Sequence, residues 1–132
     1  MTLPKLERIL LVEDEQDIQM VASMALEELG GYRVEVCSSG SEAVAKAPGF
    51  GPELILLDVM MPELDGPGTF RALRDREDFD MPPVIYMTAR AQLSEIEEYR
   101  RSGAIDVIVK PFDPMTLAAK VQEIWDHHHG KG

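Results

Sequence analysis

The chain has 132 residues, 24 of them acidic and 13 basic, for a formal net charge of −11, and 45% are apolar. That is the size of one ordinary domain with enough apolar mass for a proper core. The charge excludes DNA, RNA and anionic membrane surfaces as direct partners, because it repels phosphate.

Other classes fall away on the same reading. The longest aliphatic stretches, Ile9-Leu10-Leu11-Val12 and Leu54-Ile55-Leu56-Leu57, are far short of the ~20 residues that span a bilayer. Met1 to Arg8 contains Lys5, Glu7 and Arg8 and lacks the apolar centre of a signal peptide. A single cysteine, Cys37, excludes an internal disulfide and implies a reducing, cytoplasmic setting. It reads as a small buried hydrophobe.

Taken in chain order, short apolar runs alternate with helical patterns. Arg8–Val12 reads as a strand. After it, Ile18, Val21, Ala22, Ala25 and Leu29 form the stripe of a helix that stops at Gly30-Gly31. Tyr32–Cys37 is a strand in which Arg33 and Glu35 alternate with Val34 and Val36, the pattern of a half-exposed edge. Ser41–Ala47 is a short helix ended by Pro48-Gly49, and Leu54–Leu57 is the third strand. Thr69–Arg74 is a helix entered through Gly66-Pro67-Gly68, so it is expected to start late or irregularly.

Val84–Met87 is the fourth strand. Ser94-Glu95-Ile96-Glu97 has the form of a capping box, and its helix closes at Ser102-Gly103. Asp106–Val109 is the fifth strand. The last helix takes Asp113 as N-cap and Pro114 in its first turn, then runs Leu117, Val121, Ile124, Trp125. The histidine-rich tail, residues 127–132, is expected to be disordered, either a tag remnant or native, and a free tail has no preorganised metal geometry.

Four of the five runs are almost continuously apolar, as strands buried on both faces are. The order βαβαβαβαβα means right-handed crossovers and an α/β fold: a doubly wound five-stranded parallel sheet with five helices. There is no internal repeat, low-complexity segment or linker. Ligands of such sheets bind beyond the carboxyl ends of the strands, at the switch point. The residues there are Glu13, Asp14 and Glu15 after the first run, Asp58 after the third, Thr88 after the fourth and Lys110-Pro111 after the fifth. Crowded carboxylates repel one another unless a cation intervenes. An oxygen-only donor set selects a hard divalent ion, Mg²⁺ or Mn²⁺. A lysine and a threonine opposite it would stabilise the oxygens of a phosphoryl group in transfer. A carboxylate in their midst can be the nucleophile, forming an aspartyl phosphate. Singly, Asp14 could be only a helix cap, Thr88 a strand-end hydroxyl and Lys110 a solvated cation; their convergence from four strands is what carries the reading.

The chain resembles the receiver domains of two-component response regulators over residues 6 to 126. The matching segments are Ile9-Leu10-Leu11-Val12-Glu13-Asp14-Glu15, Leu56-Leu57-Asp58-Val59-Met60-Met61-Pro62 with Asp65-Gly66, Pro83-Val84-Ile85-Tyr86-Met87-Thr88-Ala89, and Val109-Lys110-Pro111-Phe112. The resemblance implies the flavodoxin-like strand order 2-1-3-4-5. It makes Asp58 the phosphoacceptor, attacking a phosphohistidine on a histidine kinase or histidine phosphotransfer protein. Asp14 and Asp58 would hold Mg²⁺, with Glu13 acting through water and the Met60 backbone carbonyl completing the set. Thr88 and Lys110 would hold phosphoryl oxygens, and the Lys110-Pro111 bond would be cis. The protein would catalyse only its own phosphorylation and dephosphorylation.

Some positions depart from the family. An inward-turning aromatic commonly stands three residues before the lysine; here it is Val107, so transmission must use backbone shifts or other side chains. Met60 and Arg90 occupy positions that tune aspartyl-phosphate lifetime. The family's usual partner surface, on the fourth helix, fifth strand and fifth helix, carries Glu95, Glu98, Arg101 and Asp106, a mixed surface that suits a monomer or weak dimer. The downstream partner is then a protein or an effector domain beyond this chain.

Three competing readings are weaker. A flavodoxin-like FMN protein needs a glycine- and hydroxyl-rich loop where Glu13-Asp14-Glu15-Gln16-Asp17 stands. A Mg²⁺-dependent aspartyl phosphatase usually has a second carboxylate two residues after the nucleophile, where Met60 stands. A degenerate receiver acting only as a docking module would not need Asp14, Asp58, Thr88 and Lys110 together.

Overall fold

The five apolar runs become one parallel sheet in the computed structural model, which describes residues 4–89 and 92–130. The strands are β1 (Arg8–Val12), β2 (Arg33–Cys37), β3 (Leu54–Asp58), β4 (Val84–Thr88) and β5 (Asp106–Val109). They lie in the order β2-β1-β3-β4-β5, every neighbouring pair parallel. The expected topology is therefore present, with the direction of winding reversing between β1 and β3. The edge assignment of β2 also holds, with Arg33 exposed and Val34 to Val36 only partly covered.

Five helices cover the two faces: α1 (Gln16–Met24), α2 (Gly40–Phe50), α3 (Gly66–Arg74), α4 (Leu93–Arg101) and α5 (Leu117–Gly130). Because strand side chains alternate, each central strand feeds two cores. Ile9, Leu11, Leu54, Leu56, Ile85 and Met87 pack under α1 and α5, against Ala22, Leu26, Val121 and Trp125. Leu10, Val12, Ile55, Leu57, Val84 and Tyr86 pack under α2 and α3, against Ala43, Ala47, Phe70 and Leu73. Double-sided burial is why the runs read as unbroken apolar stretches.

The helices differ from expectation at several ends, each for a local reason. α1 continues into a π-helical turn (Ala25–Leu29), which rotates Leu29 off the core face. Ala22, Ala25 and Leu26 are buried, whereas Val21 and Leu29 are exposed. The stop at Gly30-Gly31 holds, with Gly31 at φ 72°.

α2 does not end at Pro48 but runs on to Phe50 and closes on Gly51 in the left-handed region, φ 65°. Pro48 has no N–H for the carbonyl of Val44 four residues back. Arg76 replaces it, its Nη1 donating to that carbonyl at 2.9 Å. α3 starts at Gly66 rather than late. The Asp65 side chain accepts from the Gly68 N–H at 2.8 Å, and Pro67 sits in the first turn, where no N–H is missed.

The capping box at Ser94 is not formed. Gln92 takes the N-cap position of α4 and Ser94 lies inside the helix. Asp113 does cap, accepting from the Met115 N–H at 2.9 Å, but it closes a separate turn ahead of α5. Residues 127–130, expected in a disordered tail, instead finish α5. His129 stacks on Trp125 with ring centroids 4.0 Å apart, and Trp125 is itself tied down by donating from Nε1 to the Pro4 carbonyl at 2.8 Å.

Candidate functional site

The carboxyl ends of β1, β3, β4 and β5 deliver the expected residues to one edge of the sheet. Glu13 follows β1, and its N–H donates to the Cys37 carbonyl at 3.0 Å, extending the ladder by one residue. Its side chain is wholly buried. Asp58 ends β3 and Thr88 ends β4, at 2% and 1% exposure. The Lys110 N–H donates to the Thr88 carbonyl at 2.8 Å, placing the lysine directly past β5. The Lys110-Pro111 peptide is cis.

The side chains converge. Lys110 Nζ donates to Glu13 Oε1 at 2.9 Å and to Asp58 Oδ1 at 3.2 Å. The other Glu13 oxygen accepts from the Glu15 N–H at 3.1 Å. Half-buried Asp14 completes a set in which Glu13, Asp14 and Asp58 each offer a carboxylate oxygen, all within 4.8 Å of one another. Three carboxylates thus face one ammonium. Burial first, then the Glu13 charge, pushes the Asp58 carboxyl up to about 7, against the pull of Lys110. Burial works against the Lys110 ammonium, yet Glu13 and Asp58 outweigh it and hold its pKa above the ordinary lysine value. A site this short of positive charge, with oxygen donors only, fits a hard divalent cation.

Two contributors had no clear sequence signal. Gln19 donates from its amide to the Glu13 carbonyl and to Ser38 Oγ at 3.1 Å, tying the acidic loop to the loop after β2. Gly66, noted in Asp65-Gly66 and in the helix entry Gly66-Pro67-Gly68 but not for its packing, is a packing requirement: a Cβ there would lie 2.6 Å from the Asp58 carbonyl oxygen and 2.8 Å from Val59 Cα. Met60 lies two residues past Asp58 and is 65% exposed. Val107 is buried opposite Tyr86 in the β4–β5 register. Arg90 lies outside the described residues. Beside Lys110 a groove of about 430 Å³ is lined by Ile18, Val21, Ala89, Pro111 and Phe112 together with the acidic Glu15 and Asp17. Among the described residues no helix is long and apolar enough to cross a membrane.

Fold and site together define a doubly wound, flavodoxin-like α/β protein with a lysine-bridged acidic pocket at its switch point. The model of the response regulator receiver domain matches residues 9–122. The transcriptional regulatory protein TrcR of Mycobacterium tuberculosis is 36% identical over 115 residues, 87% of this chain and 44% of that protein. A probable transcriptional regulator ycf27 of Pyropia yezoensis is 37% identical over 118 residues, 89% of this chain and 47% of that protein. The chain thus spans about half the length of these curated relatives. The solved chemotaxis protein CheY4 of Vibrio cholerae superposes with a TM-score of 0.81 at 31% identity, covering 91% of this chain and 99% of that one. The chain belongs to the response regulator receiver domain family of two-component systems.

Proposed function

We propose that this domain is the phosphoacceptor of a two-component phosphorelay, taking a phosphoryl group from a phosphohistidine onto Asp58. The observation that carries the reading is the position of Asp58: a buried carboxylate that ends β3, 3.2 Å from the Lys110 ammonium and within 4.8 Å of oxygens from Glu13 and Asp14. In the step, an Asp58 oxygen bonds to phosphorus, the P–N bond breaks, and the imidazole leaves with its electron pair and takes up a proton. Lys110 neutralises a transferring oxygen and Thr88 donates to another. Asp14 and Asp58 would hold Mg²⁺ (or Mn²⁺), with Glu13 and the Met60 backbone carbonyl completing the protein set. When bound, the ion offsets the crowded carboxylates and the charge of the phosphoryl oxygens.

The donor is a histidine kinase or a histidine phosphotransfer protein. The domain promotes only its own phosphorylation and dephosphorylation, in the cytoplasm, and signals by changing conformation. The names of the TrcR and ycf27 relatives favour an output in gene control, through a downstream protein or effector domain. Intact-mass measurement after incubation with acetyl phosphate and Mg²⁺ tests the reading. One phosphoryl group should be gained, and none by Asp58→Asn or in excess chelator. No gain by the unaltered protein, or an equal gain by Asp58→Asn, overturns it.

A further inference from the structure

Every polar group of Glu13 has a partner. Its N–H continues the β-ladder to the Cys37 carbonyl at 3.0 Å. Its carboxylate takes Lys110 Nζ on one oxygen at 2.9 Å and the Glu15 N–H on the other at 3.1 Å. The carbonyl accepts from the side-chain amide of Gln19. That carbonyl belongs to the peptide joining Glu13 to Asp14. A peptide unit is planar, so a bond that fixes its oxygen also fixes the direction in which the Asp14 Cα leaves. Glu15, at the N-cap position of α1, makes no side-chain cap. Gln19, one turn into the helix and held there by donating its N–H to the Glu15 carbonyl at 3.0 Å, reaches back to the acidic turn instead. The same amide donates to Ser38 Oγ at 3.1 Å. Ser38 is itself anchored: its N–H donates to Glu42 Oε1, while the Glu42 N–H donates to Ser39 Oγ at 3.1 Å, a reciprocal exchange that sets the start of α2.

We infer that Gln19, braced by Ser38, is a positioning residue for the divalent cation: it fixes the Glu13–Asp14 peptide and so keeps the Asp14 carboxylate in reach of Asp58. The inference rests on the metal set of the phosphoacceptor reading. The bonds to the Glu13 carboxylate cannot do this work, because a cation among these oxygens competes with Lys110 and the Glu15 N–H for the same lone pairs. The Gln19 bond lies on the backbone and spends no carboxylate oxygen, so it holds the turn whether or not a cation is bound. The residue type fits the task. A primary amide is a neutral donor, whereas a lysine or arginine there would bring a second cation to three carboxylates and offset the charge that draws the metal. Groups that orient metal ligands from behind commonly carry tenfold or more of the affinity. Without this one the peptide is free to turn, and cation binding must order it.

Mn²⁺ binding to the full chain, read from the electron paramagnetic resonance of the free ion, tests this without reference to phosphorylation. Gln19→Ala and the near-isosteric, uncharged Gln19→Met should each weaken Mn²⁺ binding by about tenfold, and Ser38→Ala by about threefold. Labelling by acetyl phosphate, followed by intact mass, supplies the second readout. Gln19→Ala should need about ten times more Mg²⁺ to reach half its maximal rate, and should regain the parent's rate at saturating Mg²⁺. A merely structural lesion would lower the rate at every Mg²⁺ concentration. Should either Gln19 variant fail to fold, Ser38→Ala, at an exposed position, decides by the same two readouts. Variants that bind Mn²⁺ as the parent does, or whose rate Mg²⁺ does not restore, overturn the clamp and leave the phosphoacceptor reading intact. A parent that binds Mn²⁺ but takes no phosphoryl group overturns that reading, and the Mn²⁺ affinities alone then decide the clamp. A parent that binds no Mn²⁺ overturns the clamp.

Discussion

Replacing Asp58 by asparagine should make the metal-free protein more stable at pH 8, although it removes the residue at the centre of the site. The Asp58 carboxyl titrates near 7 in the folded chain against an ordinary 3.8, mainly because it is buried and next because Glu13 is beside it. Below both values the carboxyl is protonated, folded or unfolded, and contributes nothing to the difference. As pH rises from about 4 to 7, the unfolded chain gives up this proton while the folded chain keeps it, so stability falls through that window and stays low above it. About three pH units at 1.36 kcal/mol each set a ceiling of ~4 kcal/mol. Relaxation and water entry in a real interior bring the expected loss to ~2–4 kcal/mol. Asparagine copies the neutral form and is spared that loss. Thermal unfolding in excess chelator, followed by circular dichroism from pH 4.5 to 8.5, should give the smallest difference at the acid end, about 1 kcal/mol. At pH 8, Asp58→Asn should unfold several degrees higher. Adding Mg²⁺ should then raise the parent far more than the variant. A gap that does not change with pH, or a variant no more stable than the parent at pH 8, would refute the electrostatic account of the site.

Three further outcomes follow from particular contacts. Gly66→Ala drives a Cβ to 2.6 Å from the Asp58 carbonyl oxygen and 2.8 Å from Val59 Cα, both backbone. It should therefore cost ~1–3 kcal/mol in urea unfolding and slow acetyl-phosphate labelling, and an unimpaired variant would contradict the packing. Arg76→Ala leaves the Val44 carbonyl beside Pro48 without its 2.9 Å donor. The expected destabilisation is ~1–2 kcal/mol, with the loss of amide protection centred on α2. Cys37 is wholly buried, and burial pushes its thiol up to about 12. Iodoacetamide at pH 8 should leave it unmodified in the native protein and alkylate it in urea, as read by intact mass.

Much of this molecule is legible in the linear chain because the signals are local. The strand runs are set by consecutive apolar residues, and Arg33 and Glu35 mark β2 as the edge. Asp58 and Lys110 each stand at the end of such a run, where the doubly wound rule puts ligands. Helix limits are less legible because they hang on distant partners. Pro48 reads as a stop, yet Arg76, 28 residues further on, supplies the donor that lets α2 continue. Gly66-Pro67-Gly68 reads as a delay, yet Asp65 caps the turn, and the glycine at 66 is demanded by the backbone of β3. His127 reads as the start of a loose tail, yet Trp125 gives His129 a surface to stack on.

The acidic composition divides along the same line. Order and spacing along the chain suffice to identify a receiver domain and to single out Glu13, Asp14, Asp58, Thr88 and Lys110. No local pattern sets how close those groups come, since Lys110 reaches Glu13 across 97 positions of sequence and Asp58 across 52. Nor does any pattern announce that the rings of Phe70, Tyr86 and Tyr99, from three elements, meet in one core. Local propensity and apolar period are carried by neighbouring residues, and so they appear in the sequence. Distances, burial and the shifted titration of Asp58 arise from the superposition of remote strands, and they exist only once the chain has closed upon itself.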